Sequence, residues 1–427
     1  MSNTSQAMEP HLTNGWHQTS LAEFQALADR YGTPYFLYDA DEIIKRINSV
    51  RDSLEGMVEV YYAVKANPNL ELLRILRDSA DGLDISSLGE LEQSCLAGFD
   101  PGKISFAGPA KTTSELTESI QRGVGCISIE SPRELMECVR ISAQLGRKAN
   151  IVVRVNPQFL NRSFGMKMGG RAAQFGVDEE ELGAVFDQVL ANAETLEFRG
   201  IHIYAGSQCF EPAGIVAGVQ NCFSIACQVE ARMGLVCQVI NLGGGFGASH
   251  TEEDRELDMK ALAEELTPIL RQFHDASPVK RKVVFELGRF LTADAGIYVS
   301  RVISSKESRG KTFFMVDGGL HHHLAAAGSF GAAFRANFLQ RNLSRPDAPA
   351  IKCSIAGPSC NPTDLLGIDV ELPKPEVGDL IGVLKSGSYG FTASPLLFLG
   401  RPTPAELICH RGEVILGRRP RSIVDFN

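Results

Sequence analysis

EVYYAVKANPN, residues 59–69, is the stretch on which the reading of this chain turns. Its first part, Glu59–Lys65, is rich in β-branched and aromatic residues, which suit a pleated strand. Asn67, Pro68 and Asn69 then turn the chain, because proline cannot donate to a ladder and asparagine favours turns. The strand therefore ends on a lysine that enters a loop.

Working outward, short β-rich runs alternate with longer helical patterns to residue 288. The further strand candidates are Gly82–Ser86, Ile104–Ala107, Cys126–Glu130, Ile151–Val155, Gly200–Tyr204, Val239–Leu242 and Val283–Glu286. Between them lie amphipathic stretches such as Leu88–Ala97 and Ser131–Leu145, with apolar residues at helical spacing. Eight strands with seven helical segments predict an α/β fold with a parallel sheet, closed as a (β/α)8 TIM barrel. An open doubly wound sheet competes with it, because periodicity does not show closure.

After residue 297 the texture changes. Ile297–Ile303, Thr312–Val316, Ala350–Ile355, Leu380–Leu384 and Glu413–Leu416 are short β-rich runs separated by Gly and Pro. They predict a second, mostly-β domain. The expected division is a barrel over residues 36–296 and a β-sandwich- or barrel-like domain over 297–427, which residues 1–35 could join. Tyr35–Tyr38 is a further strand candidate that could pair there.

The 427 residues are 44% hydrophobic, enough for a large core, and carry a formal net charge of -9. That balance argues against nucleic acid or an anionic membrane as partner. Two local basic clusters, Lys280 to Lys282 and Arg418, Arg419 and Arg421, read as solvated faces. The ten cysteines form no C-x-x-C pair. The polar N-terminus lacks the plan of a signal peptide, and no apolar run approaches the roughly 20 residues that cross a bilayer. A cytoplasmic setting with free thiols follows.

Five segments carry chemistry. Lys65 sits at the C-terminal end of the first strand, where barrels build active sites, and could form a Schiff base with an aldehyde cofactor. The bland reading is a surface lysine. NLGGGFG, residues 241–247, follows the seventh strand. Its glycines Gly243, Gly244 and Gly245 let backbone N–H groups approach a phosphate, although a tight turn would look the same. ELGRF, residues 286–290, follows the eighth strand. A pyridinium N–H would satisfy the buried Glu286, and Arg289 could hold a phosphate or carboxylate; an internal Glu–Arg pair is the alternative. CNPTD, residues 360–364, and GSYGF, residues 387–391, offer Cys360 as a proton donor and Tyr389 as a phosphate ligand. Alone, Cys360 reads as a small buried hydrophobe.

In order and spacing these motifs, together with IHIYAGSQ at 201–208, resemble the fold-type III pyridoxal 5'-phosphate (PLP) decarboxylases over residues 33–407. That group includes the diaminopimelate, ornithine and arginine decarboxylases. The resemblance implies a PLP barrel, a C-terminal β domain and a homodimer with active sites shared at the interface. It makes Lys65 the cofactor lysine and gives the phosphate to Ser207, Gly243 to Gly245 and Tyr389. It pairs Glu286 with the pyridine nitrogen, and brings Cys360 and Asp364 to the site from the partner subunit.

Several positions depart from the pattern. Tyr204 stands where a histidine usually stacks on the ring, with His202 two residues earlier; an aromatic face can still stack. EPGR reads ELGR. Asn361 replaces the acid that follows the cysteine in decarboxylases of basic amino acids. SPLLFLGRP, residues 394–402, replaces a Met and Tyr-Asn pattern, and VDGGLHHH, residues 316–323, replaces a segment bearing an arginine. These departures, with Lys167 to Gly170 and Gln174 to Gly176, resemble a natural-product subgroup that decarboxylates a carrier-bound glutamyl group. Read as a strand, the three histidines point to opposite faces and make a poor metal site, so none is expected.

The expected activity is PLP-dependent decarboxylation of an amino acid or a carrier-tethered aminoacyl group. Asn361, Asp364 and His322 are the candidate substrate contacts. Decarboxylation of free diaminopimelate or another basic amino acid is the alternative. A racemase of this fold usually offers arginine to the ring nitrogen, which Glu286 disfavours. A dead regulator typically loses the lysine or cysteine, and both are present.

Overall fold

The computed structural model describes residues 16–159, 161–167, 169–249, 251, 256–328 and 337–426. Of the segment at 167–170, Met168 lies outside the described residues. By contact density the chain forms two compact units. One runs from Ile44 to Ala248 and resumes through Phe290; the other holds the N-terminal segment up to Ile43 and Leu291 onward. The second unit includes the strand that begins at Gly296 and pairs within its sheet.

The first unit is the barrel. Its strands are Glu59–Ala63, Gly82–Ile85, Ile104–Phe106, Cys126–Ile129, Ala149–Asn156, Leu196–His202, Val239–Asn241 and Lys282–Leu287. Each pairs in parallel with the next. Lys282–Leu287 pairs back onto the first strand, with Glu286 opposite Tyr61, so the sheet is closed and the open alternative falls. Among the described residues seven α-helices alternate with the eight strands. Local sequence starts and stops them. Ser131 caps Pro132–Leu145 by accepting from the Glu134 N–H, proline stands in the first turn, and Gly146 at φ 61° ends the helix. The strands are buried almost throughout, as a parallel barrel covered by helices requires.

The second unit is a twisted β sheet. Its order is Leu365–Pro373, Ala350–Ala356, Lys311–Val316, Gly296–Ser308, Tyr35–Asp39, Ala405–His410 and Glu413–Arg418. Leu380–Val383 joins through Gly296–Ser308 and also pairs with Gln340–Asn342. Tyr35–Asp39 lies inside this sheet, antiparallel to residues 296–299 and parallel to 405–409. Tyr35 and Leu37 pack there with Trp16, Phe24, Leu27, Ile297 and Leu407 in a dry core. No helix among the described residues is long and apolar enough to cross a membrane.

Candidate active site

The turn after the first strand sets the lysine. The strand stops at Ala63, and Val64–Ala66 form a single 3-10 turn that lifts Lys65 off the sheet. The buried Tyr62 hydroxyl donates to Asn67 O at 2.8 Å, and Asn69 caps the following helix through the Glu71 and Leu72 N–H groups. Lys65 Nζ then reaches Asp84 Oδ2 at 2.8 Å, from a side chain 46% exposed to one 1% exposed. Burial, reinforced by the charge of Glu286, pushes the Asp84 carboxyl up to about 6, and Lys65 opposes that rise. Asp84 Oδ1 has no hydrogen-bond partner.

The strand ends opposite carry a second polar cluster. Glu286 is buried. Its Oε1 accepts from Asn241 Nδ2 at 2.5 Å, and its Oε2 lies 3.4 Å from His202 Nε2. The other ring nitrogen of His202 is 3.0 Å from Ser128 Oγ. Burial, and then the nearby Arg154 charge, lower the His202 pKa to about 3, so the ring is neutral. Its Nε2 has no hydrogen-bond partner. Arg154 pairs with the buried Glu130 at 2.9 Å.

The glycine run packs beside this cluster. A Cβ on Gly244 would lie 2.0 Å from Glu286 O, and one on Gly245 would lie 2.0 Å from Gly206 O. Gly243 and Gly245 have φ of 60° and 98°, which glycine alone adopts cheaply. The run is clamped to the loop after the sixth strand, where Cys209 N–H donates to Gly245 O at 2.9 Å and Gly247 N–H to Cys209 O at 2.8 Å. Ser207 is thereby held beside the glycines. Tyr204 shares its hydroxyl with Ser207 Oγ at 2.8 Å, and its ring abuts Gly243. Arg289 opens the short helix after the eighth strand, half-buried.

The remaining candidates belong to the β unit. Cys360 is exposed on the loop between Ala350–Ala356 and Leu365–Pro373. Asn361 turns that loop, its Oδ1 accepting from Thr363 N–H and Oγ1 at 3.0 and 2.9 Å. Tyr389 is half-buried, with φ 54°.

Two expected substrate contacts, Asp364 and His322, carry structural tasks. Asp364 is 3% exposed, and its oxygens accept from Leu320 N–H at 2.6 Å and Ser359 N–H at 2.9 Å. Gly319 and Gly357 press against it so closely that a Cβ on either would clash. His322 is buried with both ring nitrogens engaged, one with the Tyr298 hydroxyl at 3.2 Å and one with Pro402 O at 2.9 Å. The three histidines occupy a turn rather than a strand, because His322 and His323 N–H both bond back to Gly319 O. Their rings therefore do not alternate across a sheet.

The barrel residues fit PLP. Two buried polar atoms, Asp84 Oδ1 and His202 Nε2, stand unsatisfied at the strand ends, where a polar cofactor would meet them. Glu286 is a buried carboxylate such as a ring N–H would need, Lys65 is accessible, and the clamped glycines beside Ser207 carry no side chain that would bar a phosphate. Sequence reasoning missed Asp84, Asn241 and the burial of His202. The signal was there: each is a polar residue inside an otherwise apolar strand candidate.

Comparison with known proteins agrees. The pyridoxal binding domain of the pyridoxal-dependent decarboxylases matches residues 40–293. The L-glutamyl-[BtrI acyl-carrier protein] decarboxylase of Niallia circulans is 37% identical over 410 residues, 95% of each chain. The diaminopimelate decarboxylase of Aquifex aeolicus is 30% identical over 394 residues, 92% of this chain and 90% of that one. Among solved structures, the M. jannaschii diaminopimelate decarboxylase in complex with L-lysine has a TM-score of 0.86 at 26% identity, covering 94% of this chain and 92% of that one. With a matched domain over most of the barrel and relatives of this identity along nearly the whole length, the chain belongs to the fold-type III PLP-dependent amino-acid decarboxylases.

Proposed function

We propose that this enzyme removes the α-carboxyl group, as CO2, from a glutamyl group tethered to a carrier protein in a specialised biosynthetic pathway. It works as a cytoplasmic homodimer, with each site completed by the partner subunit. The tether must run through the side-chain carboxyl, because the α-carboxyl has to be free to leave. The distal end of the substrate is then a neutral thioester.

Asp364 carries the reading. A distal ammonium drawn into a closed site needs a carboxylate partner, or its desolvation goes uncompensated. After Cys360 the loop offers only Asn361, a neutral amide, and Asp364, whose oxygens are taken by backbone N–H groups. A neutral distal group asks for no such partner. The 37% identity to the carrier-linked glutamyl decarboxylase supports the same choice.

PLP, when bound, supplies an aldehyde for the substrate amine and a protonated ring that accepts the electron pair left by CO2. Lys65 would hold it, and Asp84 orients the Lys65 amine. Glu286 would keep the proton at the pyridine nitrogen, with Asn241 donating to one oxygen of its carboxylate and the neutral His202 ring 3.4 Å from the other. Ser207, Gly243 to Gly245 and Arg289 would hold the phosphate, and the Tyr204 ring would offer an aromatic face to the cofactor. Cys360 Sγ–H returns a proton to Cα after CO2 departs.

The test is kcat/KM for CO2 release from γ-glutamyl carrier protein beside free glutamate, diaminopimelate, lysine and ornithine. Carrier-bound glutamate is expected to win. Turnover of a free diamino acid near the native-substrate range of about 10⁴ M⁻¹s⁻¹ would sink the proposal.

A further inference from the structure

The loop after the sixth barrel strand is pinned by its main chain on both sides. Gly206 and Ser207 pair in antiparallel register with Lys167 and Met166. A Cβ on Gly206 would lie 2.2 Å from Met166 O, so the two segments meet backbone to backbone. On the other side Cys209 N–H donates to Gly245 O at 2.9 Å, and the Gln208 side chain exchanges two hydrogen bonds of 3.0 Å with the backbone of Ala248. Just upstream, Ile203 N–H donates to Asn241 O at 2.9 Å. The main chain around Ser207 is therefore fixed. What that backbone leaves open is the torsion that aims the Ser207 hydroxyl.

Tyr204 reaches that hydroxyl. The two side chains share a hydrogen bond of 2.8 Å between Tyr204 Oη and Ser207 Oγ. The ring itself is seated against the glycine run, since a Cβ on Gly243 would lie 2.3 Å from its Cδ2. As a staple the hydroxyl bond is redundant, because backbone bonds already hold the loop. Its effect is directional. Two hydroxyls that share one hydrogen bond keep one hydrogen for a third group. A phenol is the better donor of the two, so Tyr204 donates to Ser207 Oγ and the Ser207 hydrogen is the one left over. A hydroxyl that accepts one hydrogen bond donates the next more strongly, the more so away from bulk water, and both residues are half-buried.

We infer that Tyr204 is a positioning residue for the cofactor phosphate, its hydroxyl aiming Ser207 at that phosphate and strengthening it as a donor. The inference rests on the reading above that Ser207 and the glycines hold the phosphate. It gives Tyr204 a second task beside its aromatic face, carried by the far end of the ring. Phenylalanine would keep the face and lose the task. The effect falls on the phosphate and not on the pyridine ring. Affinity for PLP should therefore part from affinity for pyridoxal, which lacks the phosphate.

The test titrates the full-length chain, stripped of cofactor, with PLP and with pyridoxal, and reads each affinity from the borohydride-reducible absorbance. Ser207→Ala is expected to weaken PLP binding by about tenfold or more, as loss of a hydrogen bond to a charged group does. Tyr204→Phe should weaken it by about fivefold, the worth of one ordinary hydrogen bond. The double variant should bind PLP no worse than Ser207→Ala, because without the serine hydroxyl there is nothing to aim. Pyridoxal affinity should stay unchanged in all three, which also reports an intact fold. Losses that add in the double variant would overturn the inference, since Tyr204 would then act without Ser207. So would a Tyr204→Phe chain that binds PLP as the unaltered one does, or one that weakens PLP and pyridoxal alike, which would make the hydroxyl a support for the ring. If Ser207→Ala leaves PLP affinity unchanged, the phosphate reading itself fails, and the inference with it.

Discussion

Asn241 holds one oxygen of the Glu286 carboxylate from the neighbouring strand of the barrel, and the His202 ring stands 3.4 Å from the other without hydrogen-bonding to it. In register Asn241 pairs with His202, so the two side chains leave the sheet side by side. Asn241 donates to Oε1, and the His202 ring lies against Oε2. The carboxylate is thus oriented before any cofactor arrives, which is the arrangement that lets a fixed charge act in a transition state without reorganising.

Glu286→Gln should retain PLP and lose about 100-fold or more in kcat, because an amide cannot keep the ring nitrogen protonated. The substitution keeps an acceptor for Asn241, so the fold should be undisturbed. Single-turnover CO2 release checks it, and an unchanged kcat would remove Glu286 from this role.

Lys65→Ala should abolish borohydride-reducible colour and nearly all turnover. The lysine is the accessible amine at the strand ends and is oriented by Asp84. A variant that kept both colour and activity would place the cofactor lysine elsewhere.

Asp364→Ala should unfold more easily, by about 2–5 kcal/mol, because two buried N–H groups lose their acceptor. It should also lose activity while keeping cofactor colour, since the Cys360 loop is what Asp364 organises. Asp364→Asn retains one acceptor and should fall between. Denaturant midpoints and absorbance spectra read the two effects separately.

Stability should decline on acidification partly through His202 and His322. Burial lowers both to about 3 in the folded chain, with the Arg154 charge as the next cause for His202 and the neighbouring His321 for His322. The unfolded chain protonates histidine below about 6.5. The unfolded state therefore takes up protons first, and stability is lost as pH falls from about 6.5 toward 3. The raised carboxyl of Asp84 contributes the opposite slope over part of that range. Comparing urea midpoints of the unaltered enzyme and His322→Asn at pH 7 and pH 5 cancels that contribution, and the variant should show the shallower decline.

Mixing inactive Lys65→Ala with inactive Cys360→Ala subunits should restore partial activity, because some heterodimers carry one intact site. Failure despite demonstrated subunit exchange would mean that each site draws on a single subunit.

Much of the barrel was legible because each strand is an apolar run bounded by turns. The ends were less so. Gly200–Tyr204 begins at Leu196 in the structure, since Glu197 and Arg199 are partly exposed and break the apolar pattern. Leu365–Pro373 escaped notice because acids interrupt its apolar residues along a partly exposed strand, and Ala405–His410 because the buried Glu406, paired with Tyr38 and Arg418, breaks its apolar run. Lys65 and Glu286 were readable as charged residues at strand ends. The tasks of Asp364 and His322 were not, because apart from the nearby Ser359 what occupies them is backbone and side-chain groups distant in sequence, Leu320, Tyr298 and Pro402.

The placement of Tyr35–Asp39 bears on how the protein is made. Its partners, at residues 296–299 and 405–409, are synthesised long after it. The barrel pairs neighbour to neighbour and can close while the chain is still on the ribosome, but the N-terminal strand must wait. Until then Tyr35, Phe36, Leu37 and Tyr38, all buried in the finished fold, form an unpaired apolar edge. Translation that stalls before residue 405 leaves that edge open to other nascent chains, so the last strands of this protein guard its first.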